Sequence, residues 1–169
     1  MSKRITEFFI VDILIAIDKV KRYTNDFTSS QEFLYDEKSF DATMRELEII
    51  GEATKYLIRG NLLDIEWQIV VDFRNVIAHE YFGIDSDEIW EVITVYLDTF
   101  QIEIVKLFEN GDKSILRDVL ESNMEDFKYS PKTSVLLTNL LKKIDEVEKT
   151  EKRSLLERIA KAQEGDPIE

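Results

Sequence analysis

Apolar residues recur every three or four positions through nearly the whole chain, and the recurrence breaks at only a few points. That period is the mark of helices with one buried side. The first run predicts a helix over about residues 3–25, with Phe8, Val11 and Ile15 along its stripe, Asp18 at the margin and Arg22 at the exit. In TSSQEF, Ser29 and Glu32 have the spacing of a capping box for a short helix ending near Tyr35. A longer helix from about Lys38 to Arg59 turns Met44, Leu47, Ile50, Tyr56 and Leu57 toward a core, and Gly60 is placed to stop it. Asp64 is placed to cap a helix over about 65–79, and Asp85 with Glu88 to open another that reaches about Glu109.

After ENGDKS at 109–114 the pattern resumes in a modest helix over about 114–127. Ser130 and Pro131 then give N-cap and first-turn signals for a long final helix. Its stripe runs through Leu137, Leu140, Leu141, Ile144, Val147, Leu155, Ile159 and Ala162, interrupted by Glu151. Thirty-odd residues rising 1.5 Å each span roughly 50 Å, more than a compact bundle of this size needs. Such an arm packs on the bundle or on a symmetry mate, or serves as a docking helix for another protein. Short loops between amphipathic helices give an antiparallel up-and-down bundle. The expected fold is therefore all-α, with a helical bundle over 1–110 and a helical extension over 111–169.

Composition narrows the chemistry. With no cysteine and one histidine among 169 residues, thiol nucleophiles, disulfides and a multi-histidine zinc site within one chain are excluded. Neither the N-terminal apolar run, broken by Glu7 and Asp12, nor any later segment reaches the roughly 18 uninterrupted apolar residues of a membrane span. A cytoplasmic protein without membrane partners is expected. Residues 1–110 carry 11 Lys/Arg against 22 Asp/Glu, and residues 111–169 carry 11 against 13. General affinity for nucleic acid rests on a cationic surface, so any such role needs a focused positive site.

One predicted helix offers it. In DFRNVIAHEYFGID, residues 72–85, the single His79 follows Arg74 by five positions and precedes Tyr81 by two. At 100° per residue Ile69, Val70, Phe73, Val76 and Ile77 share one face, the expected core side. Asn75 and His79 then project from the opposite side beside Val71 and Ala78, with Arg74 at the edge between the two. An outward imidazole beside small apolar residues suggests a second contact surface, and a homodimer there would turn one histidine into two. Plainer roles are open to each residue: Arg74 can pair with Asp72, Glu80 or another of the many acids, Asn75 can be a surface amide, and Tyr81 a core aromatic. Gly51, inside a predicted helix, costs about 1 kcal/mol relative to alanine, which close helix packing would offset.

The succession MRELEIIGEATKYL (Met44–Leu57), IEWQIVVDFRNVIAHEYFGID (Ile65–Asp85) and IWEVITVYL (Ile89–Leu97) resembles the HepT-like branch of the HEPN superfamily over about residues 3–110. The signature of that superfamily, an arginine, a polar residue, a short spacer and a histidine, is matched by Arg74, Asn75 and His79. The resemblance implies a HEPN-like bundle and a metal-independent endoribonuclease that needs no cofactor. It further implies the toxin of a toxin–antitoxin pair, acting on RNA as a homodimer with paired motif helices facing across a cleft. RNA brings its own nucleophile, the 2′-hydroxyl. His79 can then supply or take a proton, since an imidazole titrates near neutrality. Arg74 offers a fixed, forked cation to the phosphate, and Asn75 can orient the imidazole or hold the sugar edge. By the same resemblance Tyr81 is the residue onto which a nucleotidyltransferase antitoxin transfers AMP, silencing the toxin. The rival implication is a catalytically inactive HEPN-type dimer that serves as binding partner of a nucleotidyltransferase-fold protein. Glu48 and Glu52 accompany Gly51 in the family-like text without an assigned step. Residues 111–169 lie outside the resemblance.

Overall fold

The computed structural model describes residues 3–80 and 85–164, with side chains over 6–79 and 85–160. Among the described residues there are helices and no strands. The elements are α1 (Lys3–Thr24), α2 (Ser30–Tyr35), α3 (Glu37–Arg59), a 3-10 turn (Ile65–Trp67), α4 (Gln68–Glu80), α5 (Ser86–Glu91), a π-helical turn (Val92–Tyr96), α6 (Leu97–Asn110), α7 (Lys113–Asp126) and α8 (Pro131–Glu164). No helix among the described residues is long and apolar enough to cross a membrane.

The helix ends follow from local chemistry. The Ser29 side chain accepts from the Glu32 N–H as a capping box requires, but Glu32 reaches back one residue further, to the Thr28 N–H (2.9 Å) and hydroxyl (2.8 Å). Asp36 caps α3 by accepting from the Ser39 N–H at 2.8 Å. The stop after α3 differs from the expected glycine stop. Gly60 keeps an ordinary φ of −83°, and Asn61, at φ 56°, is the left-handed residue. Its N–H donates to the Ile58 carbonyl (2.9 Å) and the Leu62 N–H to the Leu57 carbonyl (3.0 Å), a Schellman closure with asparagine in glycine's usual place.

The single stripe expected for α1 is a correction. Ile10, Val11, Ile13, Leu14, Ile15, Ala16, Ile17 and Val20 are all buried, and no residue over 6–24 is exposed. A helix covered all round belongs at the centre of a protein, and α1 is the central element, packed against α3, α6, α7 and α8. An ion pair, a ring stack and a hydrogen bond fix it there. Lys19 meets the buried Glu46 of α3 at 2.9 Å, Phe9 stacks on Tyr56 with ring centroids 4.5 Å apart, and Glu7 accepts from the Asp112 N–H at 3.2 Å. That last contact holds the turn between α6 and α7 against the start of α1.

Two expected helices are subdivided. The segment from Asp64 opens with a 3-10 turn, and the Asp64 side chain makes no cap bond. The segment from Asp85 is interrupted by the π turn, where Val92, Ile93, Thr94 and Val95 form a β-branched run. Such residues crowd an α-helix, and the Thr94 hydroxyl donates to the Trp90 carbonyl at 2.7 Å.

Beyond Gly111, Asp112 caps α7 through the N–H groups of Ser114 and Ile115. Leu116, Val119 and Leu120 of α7, and Leu137 and Ile144 of α8, belong to the same buried cluster as α1 and α3. Arg117 clamps α8 through Asp145 (2.7 Å) and Glu148 (3.0 Å). Past about residue 149 the arm leaves the bundle: every side chain over 150–160 is exposed, including Leu155, Leu156 and Ile159. Ala162 lies outside the described side chains.

Candidate active site

The site is built where α4 crosses α3, and Gly51 decides how closely. A β-carbon placed on Gly51 would stand 2.2 Å from the Arg74 Cβ and 2.8 Å from its Cγ. No side chain other than hydrogen lets the two helices meet there, and the helix-propensity cost of a mid-helix glycine is offset by this approach.

The close approach also rolls α4. Val71, expected beside His79 on the outer side, is only 5% exposed, whereas Ile69 and Val76, expected in the core, are 69% and 38% exposed. The buried arc is centred on Val70, Arg74 and Ile77 rather than on Phe73, because the aliphatic stem of Arg74 takes a place that the pattern reserves for an apolar residue. Asn75, Val76, Ala78 and His79 are exposed, so the outward face stands with different apolar neighbours. His79 occupies the last turn of α4. Tyr81 lies outside the described residues.

The structure joins Arg74 to Asn75: its Nη1 donates to the Asn75 Oδ1 at 3.1 Å. Nη2 forms an ion pair with the Glu52 Oε2 at 3.0 Å, and Glu52 Oε1 takes Lys55 at 3.1 Å. Nε is enclosed without a hydrogen-bond partner. The acid that holds Arg74 is therefore Glu52 of α3 and not Asp72; Asp72 instead accepts from Gln68 at 3.0 Å. Sequence reasoning missed this pair. The signal was the adjacency of Gly51 and Glu52, which only a neighbouring helix makes meaningful. On an ideal helix Arg74 and His79 are about 140° apart around the axis and about 7.5 Å apart along it. Within one chain they therefore address different directions.

Arg74 borders a cleft of about 280 Å³ between α1, α3 and α4, shared with Phe9, Asp12, Arg45, Glu48 and Glu52. Arg45 pairs with Glu48 at 3.0 Å along its rim. Burial pushes the Asp12 carboxyl above its ordinary value of 3.8, and Lys19 partly opposes the shift. A carboxyl with a raised folded-state pKa takes its proton more readily when folded, so the stability it favours is present below 3.8 and is lost as pH rises through the folded pKa. Asp12→Asn is therefore expected to raise the thermal midpoint at pH 7. The gain should shrink as pH falls toward 4, which melting curves at pH 7.0 and 4.5 would check.

On the other side of α4 an apolar groove of about 290 Å³ runs between Trp67, Ile69, Phe73, Val92, Tyr96 and Phe100, with Glu88 and Glu91 along it. Ile65, Val95 and Ile102 are further exposed apolar residues on the 3-10 turn, the π turn and α6.

Comparison with known proteins bears on the family of the chain. The family model described as ribonuclease HepT-like matches residues 13–107. A Methanocaldococcus jannaschii protein named as a candidate RNase is 36% identical over 96 residues, covering 55% of this chain and 87% of the relative. A second from that organism, named likewise, is 35% identical over 120 residues, covering 68% and 98%. A Thermococcus cleftensis protein named as a probable ribonuclease HepT is 30% identical over 108 residues, covering 62% and 97%. No solved structure matches.

Proposed function

Because the chain belongs to the ribonuclease HepT-like family, we propose that it is a metal-independent endoribonuclease active as a homodimer. On this reading it is the toxin of a toxin–antitoxin pair, silenced when a nucleotidyltransferase partner transfers AMP onto Tyr81. The observation that carries the catalytic part is the pinned Arg74. Its guanidinium is held by Glu52 and Asn75, on the same helix that presents His79 to solvent. In the reaction the 2′-hydroxyl attacks the adjacent phosphorus, its proton passing to an imidazole. The 5′-oxygen leaves with a proton from a second acid, and Arg74 stabilises the charge gathered on the phosphorane. Two copies of His79 across a dimer divide the base and acid roles, which the divergence of Arg74 and His79 within one chain favours. The cation is local, as it must be on a bundle with twice as many acids as bases over residues 1–110. That excess favours the rival reading, an inactive HEPN-type dimer that binds a nucleotidyltransferase-fold protein. Cleavage of single-stranded RNA by the purified wild type separates the two.

Val76, exposed beside Asn75 and His79, and Ile69, exposed two turns earlier on the same side of α4, support dimerisation through the outward face of α4. The protein is expected to scatter light as a dimer at micromolar concentration and to become monomeric as Ile69→Glu/Val76→Glu. A wild-type monomer would end the paired-site account. A truncation after Thr150 tests the arm in parallel, since it leaves the buried Leu137 and Ile144 in place. Loss of the dimer on truncation would move the interface from α4 to α8. We further propose that residues 111–169 are an extension to the catalytic bundle, joined to it at Gly111–Asp112.

A further inference from the structure

We propose that Glu52 is the positioning residue of Arg74. This deepens the ribonuclease reading and rests on it. Two consecutive residues of α3 deal with the two ends of one side chain of α4. Gly51 admits the stem, since any β-carbon there would collide with the Arg74 Cβ and Cγ at 2.2 and 2.8 Å. Glu52 receives the head, its Oε2 at 3.0 Å from Nη2. Glu52 is itself fixed from the far side, where Lys55 of the same helix holds Oε1 at 3.1 Å. A long, rotamer-rich side chain that starts at a steric pinch and ends in a fixed acceptor has few conformations left.

The arrangement orients the cation without occupying it. Guanidinium carries five N–H donors. Glu52 engages Nη2 and Asn75 engages Nη1, so each terminal nitrogen keeps a second N–H for phosphate oxygens. The enclosed Nε has no hydrogen-bond partner, so the two terminal nitrogens carry the polar contacts of the head. The exposure of the pair, 30% for Arg74 and 37% for Glu52, argues against a role in holding the bundle together. The tie between α3 and the core is made elsewhere, by Glu46 with Lys19 and by the apolar residues of α3. What the pair fixes is the direction in which Arg74 meets its ligand, and a misdirected group costs rate rather than stability.

The test compares the full-length wild type with Glu52→Ala, Glu52→Gln and Gly51→Ala. A fluorescent single-stranded RNA oligonucleotide reports kcat and KM, thermal melting reports the fold, and phenylglyoxal labelling read by peptide mass spectrometry reports how free Arg74 is. Glu52→Ala is expected to lower kcat by about 10- to 100-fold with KM within about twofold of wild type and the melting midpoint unmoved. The labelling rate of Arg74 should rise severalfold. Glu52→Gln, which keeps an acceptor oxygen, should fall between the two, and Gly51→Ala should lower kcat by displacing the stem. If Arg74 in Glu52→Ala is labelled no faster than in the wild type, Glu52 does not position it. A loss of rate that tracks a fall in melting midpoint across all three variants would make the role structural and overturn the proposal equally. The labelling arm stands apart from activity: a wild type that cleaves no RNA overturns the ribonuclease reading, and unchanged labelling overturns the positioning itself.

Discussion

His79→Ala and Arg74→Ala are each expected to reduce RNA cleavage by about a hundred- to ten-thousand-fold, the usual contribution of a proton-transferring side chain or a transition-state donor. Neither should unfold the bundle. His79 is exposed on the last turn of α4, so its removal opens no cavity. Arg74 is 30% exposed and its partner Glu52 37%; solvent screening at that exposure limits their ion pair to about 0–1 kcal/mol. The stem over Gly51 adds some packing, so a small fall in melting midpoint is expected for Arg74→Ala and essentially none for His79→Ala. Chelators should leave cleavage intact, and an oligonucleotide lacking the 2′-hydroxyl at the cleaved step should resist the enzyme. Cleavage at the wild-type rate by His79→Ala would remove the imidazole from the mechanism. Host growth should recover with both variants if cleavage is the cause of toxicity.

Tyr81→Phe is expected to do the opposite in the cell: to remain toxic and to escape neutralisation. A phenol has no step in transphosphorylation, so losing the hydroxyl leaves the rate of RNA cleavage within about threefold of wild type, a change smaller than one hydrogen bond commonly makes. AMP on that hydroxyl would bring a bulky group and a phosphate negative charge two residues from His79. Such a group can draw Arg74 away from substrate and repel the RNA backbone. Coexpression with the proposed nucleotidyltransferase partner, followed by intact-mass measurement, should show the added mass of AMP on the wild type and none on Tyr81→Phe. AMP on Tyr56 or Tyr96 instead would place the switch elsewhere. Tyr56 is the less available of the two, since its ring lies flat against Phe9. Equal neutralisation of Tyr81→Phe and wild type would end the account.

Much of this molecule is legible in its sequence because the signals are local. Ser29 and Asp85 cap the helices they are placed to open, though Asp64 does not, and breakers are few enough that the remaining apolar period has only one reading. The Arg74, Asn75 and His79 spacing is likewise local, and the exposure of Asn75 and His79 is as the helical wheel has it. What the wheel misplaces depends on neighbours. Ile69 and Val76 look like core and are not, because the wheel counts Arg74 as polar while Gly51 lets its stem be buried. The all-round burial of α1 follows from its having neighbours on every side, a property of the assembly and not of the segment. Glu52 lies 22 positions before Arg74 and is one of 35 acids, so its place beside Gly51 acquires meaning only once α4 is packed there. The π turn is an intermediate case: the β-branched run at Val92–Val95 is visible, but the same run is compatible with an ordinary helix.

The far half of α8 bears on how the molecule moves through solvent. The helix is 34 residues long, about 51 Å at 1.5 Å per residue, and its exposed half projects as a rod that contributes little mass but much friction. Gel filtration ranks particles by drag, so a single chain will elute ahead of a sphere of 19.9 kDa and can be mistaken for a pair. Removing the rod after Thr150 should shift elution later by more than the lost mass accounts for, whichever state of association the bundle adopts. Counting protomers therefore calls for a method that weighs the particle, and the elution volume itself becomes a gauge of whether the rod stays extended.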